Sequence, residues 1–407
     1  LIFTKKIIPE GSLTERSFKK LKSNTIALGS IIVISSAIFI ALMGYLITPD
    51  STPFANEQHL ELAAAKPGFS VMMLTIQKNE TIRPTSFIGQ LISGRQSSVI
   101  SLPISGYEFK GNHIIVYPYD KAGYSADSIL PLVYNLTDVV YALADTSHVK
   151  KIPSKDLNGI IIKNEAEFLK NLIKSEHIIK RHFLLGTDRF GRDMLSQLMI
   201  GTRVSLSVGL ISVLISLILG ITLGAMAGYY RGWIDEAIMW FINVVWSVPT
   251  LLLVIAITFA LGKGFWQVFI AVGLTMWVEV ARIVRGQILS LREKEFIEAA
   301  QALGYKNPRI ILRHILPNAM GPVIVISAAN FASAILIEAG LSFLGIGVQP
   351  PMPSWGTMVK ENYAFIILEN PWLALLPGIC IMLLVLAFML IGNSLRDALD
   401  VKEVQSN

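Results

Sequence analysis

Five stretches of this 407-residue chain carry no charged side chain over a length greater than a bilayer's hydrocarbon core. They cover residues 23–49, 204–230, 237–262, 315–337 and 371–395, each beyond the roughly 18–20 residues that a helix needs to cross that core. Lipid offers no partner to a backbone N–H or C=O, so such runs are read as helices. A sixth run, 264–278, reaches spanning length only by taking in Glu279 and Arg282 near one end. The expected fold class is an all-α polytopic membrane protein with six transmembrane helices. Composition agrees, with 53% of residues hydrophobic and 16% charged, against about 25% charged in ordinary globular proteins. The first run is too long for a cleaved leader and lacks a small-residue cleavage site, so a retained anchor is expected.

Lys and Arg in the short segments set the orientation. Lys5, Lys6, Arg16, Lys19, Lys20 and Lys22 precede the first run. Arg282, Arg285, Arg292, Lys294, Lys306, Arg309 and Arg313 lie between the fourth and fifth, and alternation puts Arg231, Arg396 and Lys402 on the same side. The opposite short loops hold only Lys263 and Lys360. Both termini and the 281–319 loop are therefore expected in the cytoplasm. The net charge of +6 is largely this topology signal and gives no argument for a nucleic-acid partner. The expected divisions are a cytoplasmic tail (1–24), a first span (25–48) and an extracytoplasmic insert (49–183). A five-helix transmembrane domain (184–396) with a loop at 290–318 and a short cytoplasmic tail (397–407) follow. The insert reads as a small α+β domain. Residues 107–117 suggest two strands around a Gly111-Asn112 turn. Residues 164–181 suggest an amphipathic helix with Phe168, Leu169, Leu172, Ile173, Ile178 and Ile179 as its apolar positions.

The 281–319 loop is more than a connector. Glu298-Ala-Ala-Gln-Ala-Leu-Gly304 reads as a helix whose small residues Ala299, Ala300 and Gly304 leave a smooth surface that another protein can approach. It continues to Arg313-His-Ile-Leu-Pro-Asn318, with Pro317 expected to end the helix. Gly220, Gly224 and Gly228 recur every four residues, a ladder for close helix packing, either within this chain or against a partner subunit. Pro249 removes a backbone donor from the third run and is expected to kink it. Glu338 follows the fifth run, about 27 Å along its helix at roughly 1.5 Å per residue. An ionisable residue at that depth either faces a cavity, where it meets a substrate's amino terminus, or bonds to the following loop. The Gly/Pro-rich stretch 340–356 is expected to turn tightly at the outer surface. Ser342, Pro350 and Trp355 are candidates there, with Glu338 and Pro249, for a pore lining or outer gate; Trp355 also suits an interfacial anchor. Glu279 and Arg282, spaced i, i+3, are expected to pair.

Enzyme signatures are missing. No Gly-x-x-x-x-Gly-Lys-Ser/Thr phosphate loop, Gly-x-Ser-x-Gly elbow or His-Glu-x-x-His helix occurs, so no catalytic residue is expected and any ATP must be handled by another chain. Cys380 is the only cysteine, which excludes an internal disulfide. The histidines are scattered, and no metal site is expected.

Five blocks carry a resemblance: Gly186-Thr-Asp-Arg-Phe-Gly-Arg-Asp-Met-Leu-Ser196, Gly201-Thr-Arg-Val-Ser-Leu206, the 298–318 segment, residues 338–356, and Leu395-Arg-Asp-Ala-Leu-Asp400. Over about 185–402 and the first span the chain resembles the C-type permease subunits of the dipeptide/oligopeptide and nickel ABC importers. The resemblance implies the type I ABC importer permease fold. It makes Glu298, Ala299, Ala300, Gly304, Arg313, His314, Leu316, Pro317 and Asn318 the "EAA" coupling loop that docks in a cleft of an ATPase. It also implies a heterodimer with a B-type permease, two ABC ATPase subunits that bind the ATP, and an extracytoplasmic peptide-binding protein. The setting would be the lipid bilayer of a bacterial inner membrane, and the chain would hold no cofactor itself. The implied cargo is a di- or oligopeptide. A nickel chelate or antimicrobial peptide stays open, as does, in a different class, an ATP-independent secondary transporter, which would show internal repeats and midplane charges. The chain departs from the family pattern at Trp240 and Asn243, where Arg and Asp are common, and at Asn393 and Val401. His314 stands where the wider superfamily is often apolar. The insert is longer than the usual loop, and is expected either to meet the binding protein or roof the entrance, or to be a passive decoration.

Overall fold

Where the charge-free runs end, the computed structural model places turns and caps; it describes residues 20–80, 85–120, 130–143, 166–262, 264–368 and 370–399. Eight helices carry the apolar sequence: α1 (Thr25–Ile47), α2 (Met194–Tyr230), α3 (Gly232–Trp246), α4 (Thr250–Leu261), α5 (Phe265–Arg292), α6 (Glu295–Ala302), α7 (Leu316–Leu344) and α8 (Trp372–Leu399). Among the described residues, α1, α2, α5, α8 and the helical stretch Asn307–Leu344 that contains α7 are long and apolar enough to cross a membrane. The third expected span differs. α3 and α4 reach that length only as a pair, bent by 93°. Pro249 has no N–H to continue the ladder and disfavours helical geometry in the residue before it, so the expected kink is a full break.

Two compact units result. The first gathers Leu1–Ala41, Gly201–Lys360 and Leu375–Asn407. Its centre is α5, the most deeply buried of the long helices. Val268, Phe269, Val272 and Met276 pack with Val208, Val254, Ala334 and Leu341. Farther along the same helix, Val280, Val284 and Ile288 pack with Ala225, Tyr229 and Val323. The glycine ladder of α2 lies on this helix. A Cβ on Gly220 would stand 2.5 Å from the Val280 Cβ, one on Gly224 2.5 Å from the Ala281 carbonyl oxygen, and one on Gly228 2.9 Å from the Arg285 carbonyl oxygen. The ladder is thus a seam inside this chain, not one against a partner. α2 also starts at Met194, ten residues before the charge-free run 204–230. No breaker interrupts 194–203, and Gly201 leaves room for the Trp355 ring, 3.0 Å from where its Cβ would be.

The second unit gathers Leu42–Ile200 and Glu361–Ala374, more than the 49–183 expected for the insert. Its sheet is antiparallel, in the order β4-β3-β2-β1-β5. The strands are β1 (Phe69–Gln77), β2 (Val99–Lys110), β3 (His113–Pro118), β4 (Leu132–Asn135) and β5 (Ile178–Phe183). The expected hairpin forms with Lys110 opposite His113, and Gly111 supplies the positive φ, +60°, of its turn; β2 begins well before residue 107. Residues 164–181 depart from expectation. The helical part, Ala166–Leu172 and a π-type turn Ile173–His177, stops at β5, where Ile178 and Ile179 pair with Leu74 and Met73 of β1. β-branched side chains fit the pleat better than the helix, and a free sheet edge was there to take them. Leu169 and Ile173 stay on the buried face with Leu74, Ile104, Ile114 and Val116.

Candidate functional site

The loop between α5 and α7 folds as one face in, one face out. Glu295 and Glu298 sit in the first turn of α6, where carboxylates suit the positive helix end. Gly304 ends the helix in the left-handed region, φ +75°, with its N–H donating to the Gln301 carbonyl at 2.9 Å, the usual service of glycine at a helix end. Ile297, Ala300, Ile310 and Ile315 are buried with Tyr229, Val284 and Ile288. Phe296, Leu303 and Leu312 point outward, Leu303 72% exposed, alongside exposed Glu298, Ala299, Gly304, Arg313, Pro317 and Asn318. The half-buried His314 ring stacks on Tyr305 at 5.8 Å, and the Tyr229 hydroxyl donates to Asn307 at 2.9 Å. Pro317 does not end a helix. It stands in the first turn of α7 beside half-buried Leu316, where a missing N–H costs little. Asn318 Nδ2 donates to the His314 carbonyl at 2.7 Å. A π-type turn, Ile311–Ile315, leads straight into α7, so the surface segment is one piece with a membrane-length helix.

The stretch after Glu338 closes on itself. Glu338 and Ser342 are fully buried; Ser342 Oγ donates to Glu338 Oε1 at 2.6 Å and accepts the Val348 N–H at 3.2 Å. Gly345, φ +82°, ends α7. Ser354 and Thr357 bond reciprocally, and Trp355 is 4% exposed. Glu338 is thus bonded along its own helix, and Ser342 ties that helix to the following loop. Ser342 and Trp355 also face the interior of this chain. Pro350 remains exposed, and Pro249 sits exposed at the α3–α4 break.

Beside that break lies a cavity of about 350 Å³, lined in part by Trp246, Thr250, Thr275, Glu279, Asn330 and Ser333. The expected Glu279–Arg282 pair does not form. The Arg282 guanidinium lies over the Trp246 ring, 3.7 Å from its centroid, and reaches Asn243 Oδ1 at 3.5 Å, because α3 brings an aromatic face to it. Glu279 has no ion pair or hydrogen bond among the described residues. It is also not at a helix end. At the fifteenth of 28 positions in α5, it is about 21 Å from either tip at roughly 1.5 Å per residue. Asn330 is 2% exposed and its Nδ2 has no hydrogen-bond partner among the described residues. The sequence signal for this site was present, a carboxylate inside a spanning segment, but the 15-residue charge-free window placed it at an end.

The Gly186–Asp193 block, which sequence motifs alone left without a role, is a clasp within the second unit. Arg192 bonds Asp188 at 2.6 Å and Glu361 at 2.7 Å, and a Cβ on Gly191 would overlap the His59 carbonyl oxygen. Burial pushes the Asp193 carboxyl above the usual carboxylate range, although bonds from Ser196 pull the other way. Burial also acts to raise Glu57, but His59 and Arg181, the latter at 2.6 Å, outweigh it and hold that carboxyl well below its ordinary value. No cluster of His, Cys, Asp and Glu suited to a metal occurs among the described residues.

Residues 220–402 match the family described as "binding-protein-dependent transport system inner membrane component". A dipeptide transport system permease protein, DppC, of Alkalihalophilus pseudofirmus is 48% identical over 217 residues, 53% of this chain and 71% of that protein. The glutathione transport system permease protein GsiD of Pectobacterium atrosepticum is 43% identical over 218 residues, 54% of this chain and 72% of that one. The oligopeptide transport system permease protein OppC of Bacillus subtilis is 38% identical over 232 residues, 57% and 76%. The aligned portions cover more than two thirds of each relative. Spanning helices, a pinned surface segment and these similarities converge: the chain belongs to the binding-protein-dependent inner-membrane permeases of ABC importers.

Proposed function

We propose that this chain is one permease subunit of an ATP-driven importer of di- or oligopeptides in a bacterial inner membrane. It pairs with a second, B-type permease to form the pore, and works with two ABC ATPase subunits and an extracytoplasmic peptide-binding protein. Both termini and the 298–318 segment lie in the cytoplasm. The observation that carries the reading is the surface segment itself. It presents Phe296, Ala299, Leu303 and Leu312 outward while its other side is fixed in the core. Exposed apolar groups on a pinned scaffold suit a protein partner, and the ATPase subunit is that partner here. Because the segment continues into α7 and adjoins the end of α5, a push from the ATPase tilts both helices. Binding of ATP thereby biases a two-state change of the pore.

The experiment is Leu303→Asp in the complete transporter. Burying a carboxylate in an apolar contact costs several kcal/mol (about 2–7 for a polar group left unpaired). The variant should reach the membrane at wild-type levels, lose co-purifying ATPase, and lose ATP-dependent peptide uptake. Undiminished ATPase retention and uptake would sink the coupling assignment.

A further inference from the structure

We propose that Glu279 and Asn330 form a way-station for the first residue of a translocating peptide, Glu279 taking the terminal ammonium and Asn330 the adjoining carbonyl. This rests on the peptide-importer reading above. Two independent observations carry it. Glu279 is an ionisable group about 21 Å from either end of its helix at roughly 1.5 Å per residue, and it lines a cavity without a partner among the described residues. Carboxylates at such depth face water-filled paths or partners, because the hydrocarbon penalises them. Asn330 supplies the second. Its Nδ2 donor, 2% exposed, is left unmatched in the same cavity. An unmatched buried donor is costly, and a ligand carbonyl entering the cavity would satisfy this one.

The chemistry of the pair is specific. A carboxylate only accepts and an amide N–H donates. The complementary ligand carries a cationic donor next to a neutral acceptor, which describes the ammonium and first carbonyl of any peptide, whatever its side chains. Arg282, the nearest cation on α5, is held over Trp246 at 3.7 Å, and so does not fill the site. The hydroxyls of Thr250, Thr275 and Ser333 in the lining offer further, less directional contacts. Trp246 and Thr250, which flank the α3–α4 break, both line the cavity.

The test measures ATP-dependent uptake of labelled di-, tri- and pentaalanine by cells making the complete transporter with Glu279→Gln, Glu279→Asp or Asn330→Leu. Co-purification of the second permease and ATPase subunits reports assembly. Glu279→Gln should assemble and lower maximal uptake at least about tenfold, the scale of one lost charged hydrogen bond. Glu279→Asp should keep more of it than Gln, and Asn330→Leu should lower it about tenfold or less, as a neutral bond. Assembled Glu279→Gln with uptake within about twofold of wild type would overturn the proposal, a twofold change being too small for the loss of a charged contact. Loss of the second permease from Glu279→Gln would also overturn it, since the carboxylate is then an assembly contact. Absence of peptide uptake by the unaltered transporter removes both this proposal and the importer reading; normal uptake by Glu279→Gln removes only this one.

Discussion

Gly224→Ala probes the seam on which the first unit is built. The new Cβ would stand 2.5 Å from the Ala281 carbonyl oxygen, 2.9 Å from Val284 Cβ and 3.0 Å from Ala281 Cα. Ordinary contacts begin at 3.4 Å, so 3.4 minus 2.5 leaves 0.9 Å to be found by parting α2 from α5. Two of the three atoms are backbone, which no rotamer change can move. Overpacking of this kind costs about 1–3 kcal/mol, and the rung belongs at the upper end. Helix propensity returns about 1 kcal/mol for Gly→Ala, leaving a net loss of about 2 kcal/mol. For a unit of this size that is a midpoint roughly 4–8 °C lower. Gly228, where the shortfall is 3.4 minus 2.9, or 0.5 Å, should lose much less. Gly286 on α5 has no atom within 4 Å of its would-be Cβ, so its alanine variant should hold or gain stability. Thermal loss of the monodisperse peak of the purified chain in detergent measures the series. Gly224→Ala melting at or above wild type, or Gly286→Ala falling as far, would refute the packing argument.

Ser342→Ala removes the hydroxyl that donates to the fully buried Glu338 and should cost about 1–3 kcal/mol; the double variant with Glu338→Leu should recover much of it, as read by thermal midpoints of the four-member cycle. Arg192→Met breaks a bridge to both Asp188 and Glu361. Losing one partner of a buried pair costs about 3–5 kcal/mol, so limited proteolysis of the full chain should cut the second unit faster. Glu57 carries the pH dependence of that unit. Its folded carboxyl titrates below the ordinary 4.5, so its contribution is fully present above about pH 4.5 and is lost as pH falls below it. Glu57→Gln should therefore be more protease-sensitive at pH 7 and show a flatter response than the unaltered chain as pH falls from about 4.5 toward 2.

Much of the membrane part was legible because lipid leaves so few options. A charge-free run of spanning length has to be a helix, and five of the six runs are. What escaped reading depended on contacts between distant residues. Gly220, Gly224 and Gly228 announced a close approach but not its partner, which is set by where α5 packs. Glu338 was visible as a buried charge and its bond to Ser342 is an i, i+4 contact on one helix, but the return of the chain that sets the Val348 N–H on Ser342 was not legible. Ile178 and Ile179 fit a helical stripe as well as a strand, and the free edge of β1 decided between them. The Gly186–Asp193 block was visible as a motif, while its grip on His59 needed two segments more than a hundred residues apart in sequence to meet.

The break at Pro249 and the partnerless Glu279 have one explanation. A helix interrupted at membrane depth frees backbone groups, which is tolerated only where protein or a water-lined cavity receives them. The α3–α4 break is flanked by Trp246 and Thr250, both in the lining of the cavity that holds Glu279 and Asn330. On α7, Ser342 donates to one oxygen of the buried Glu338. At the α3–α4 break an interrupted backbone, an unmatched amide and an unpaired carboxylate gather in one place. Each alone would be a cost without return. Asn330 stands on the helical stretch that runs from Asn307 of the surface segment to Leu344, so under the proposed coupling a movement of that segment would reach the cavity along α7.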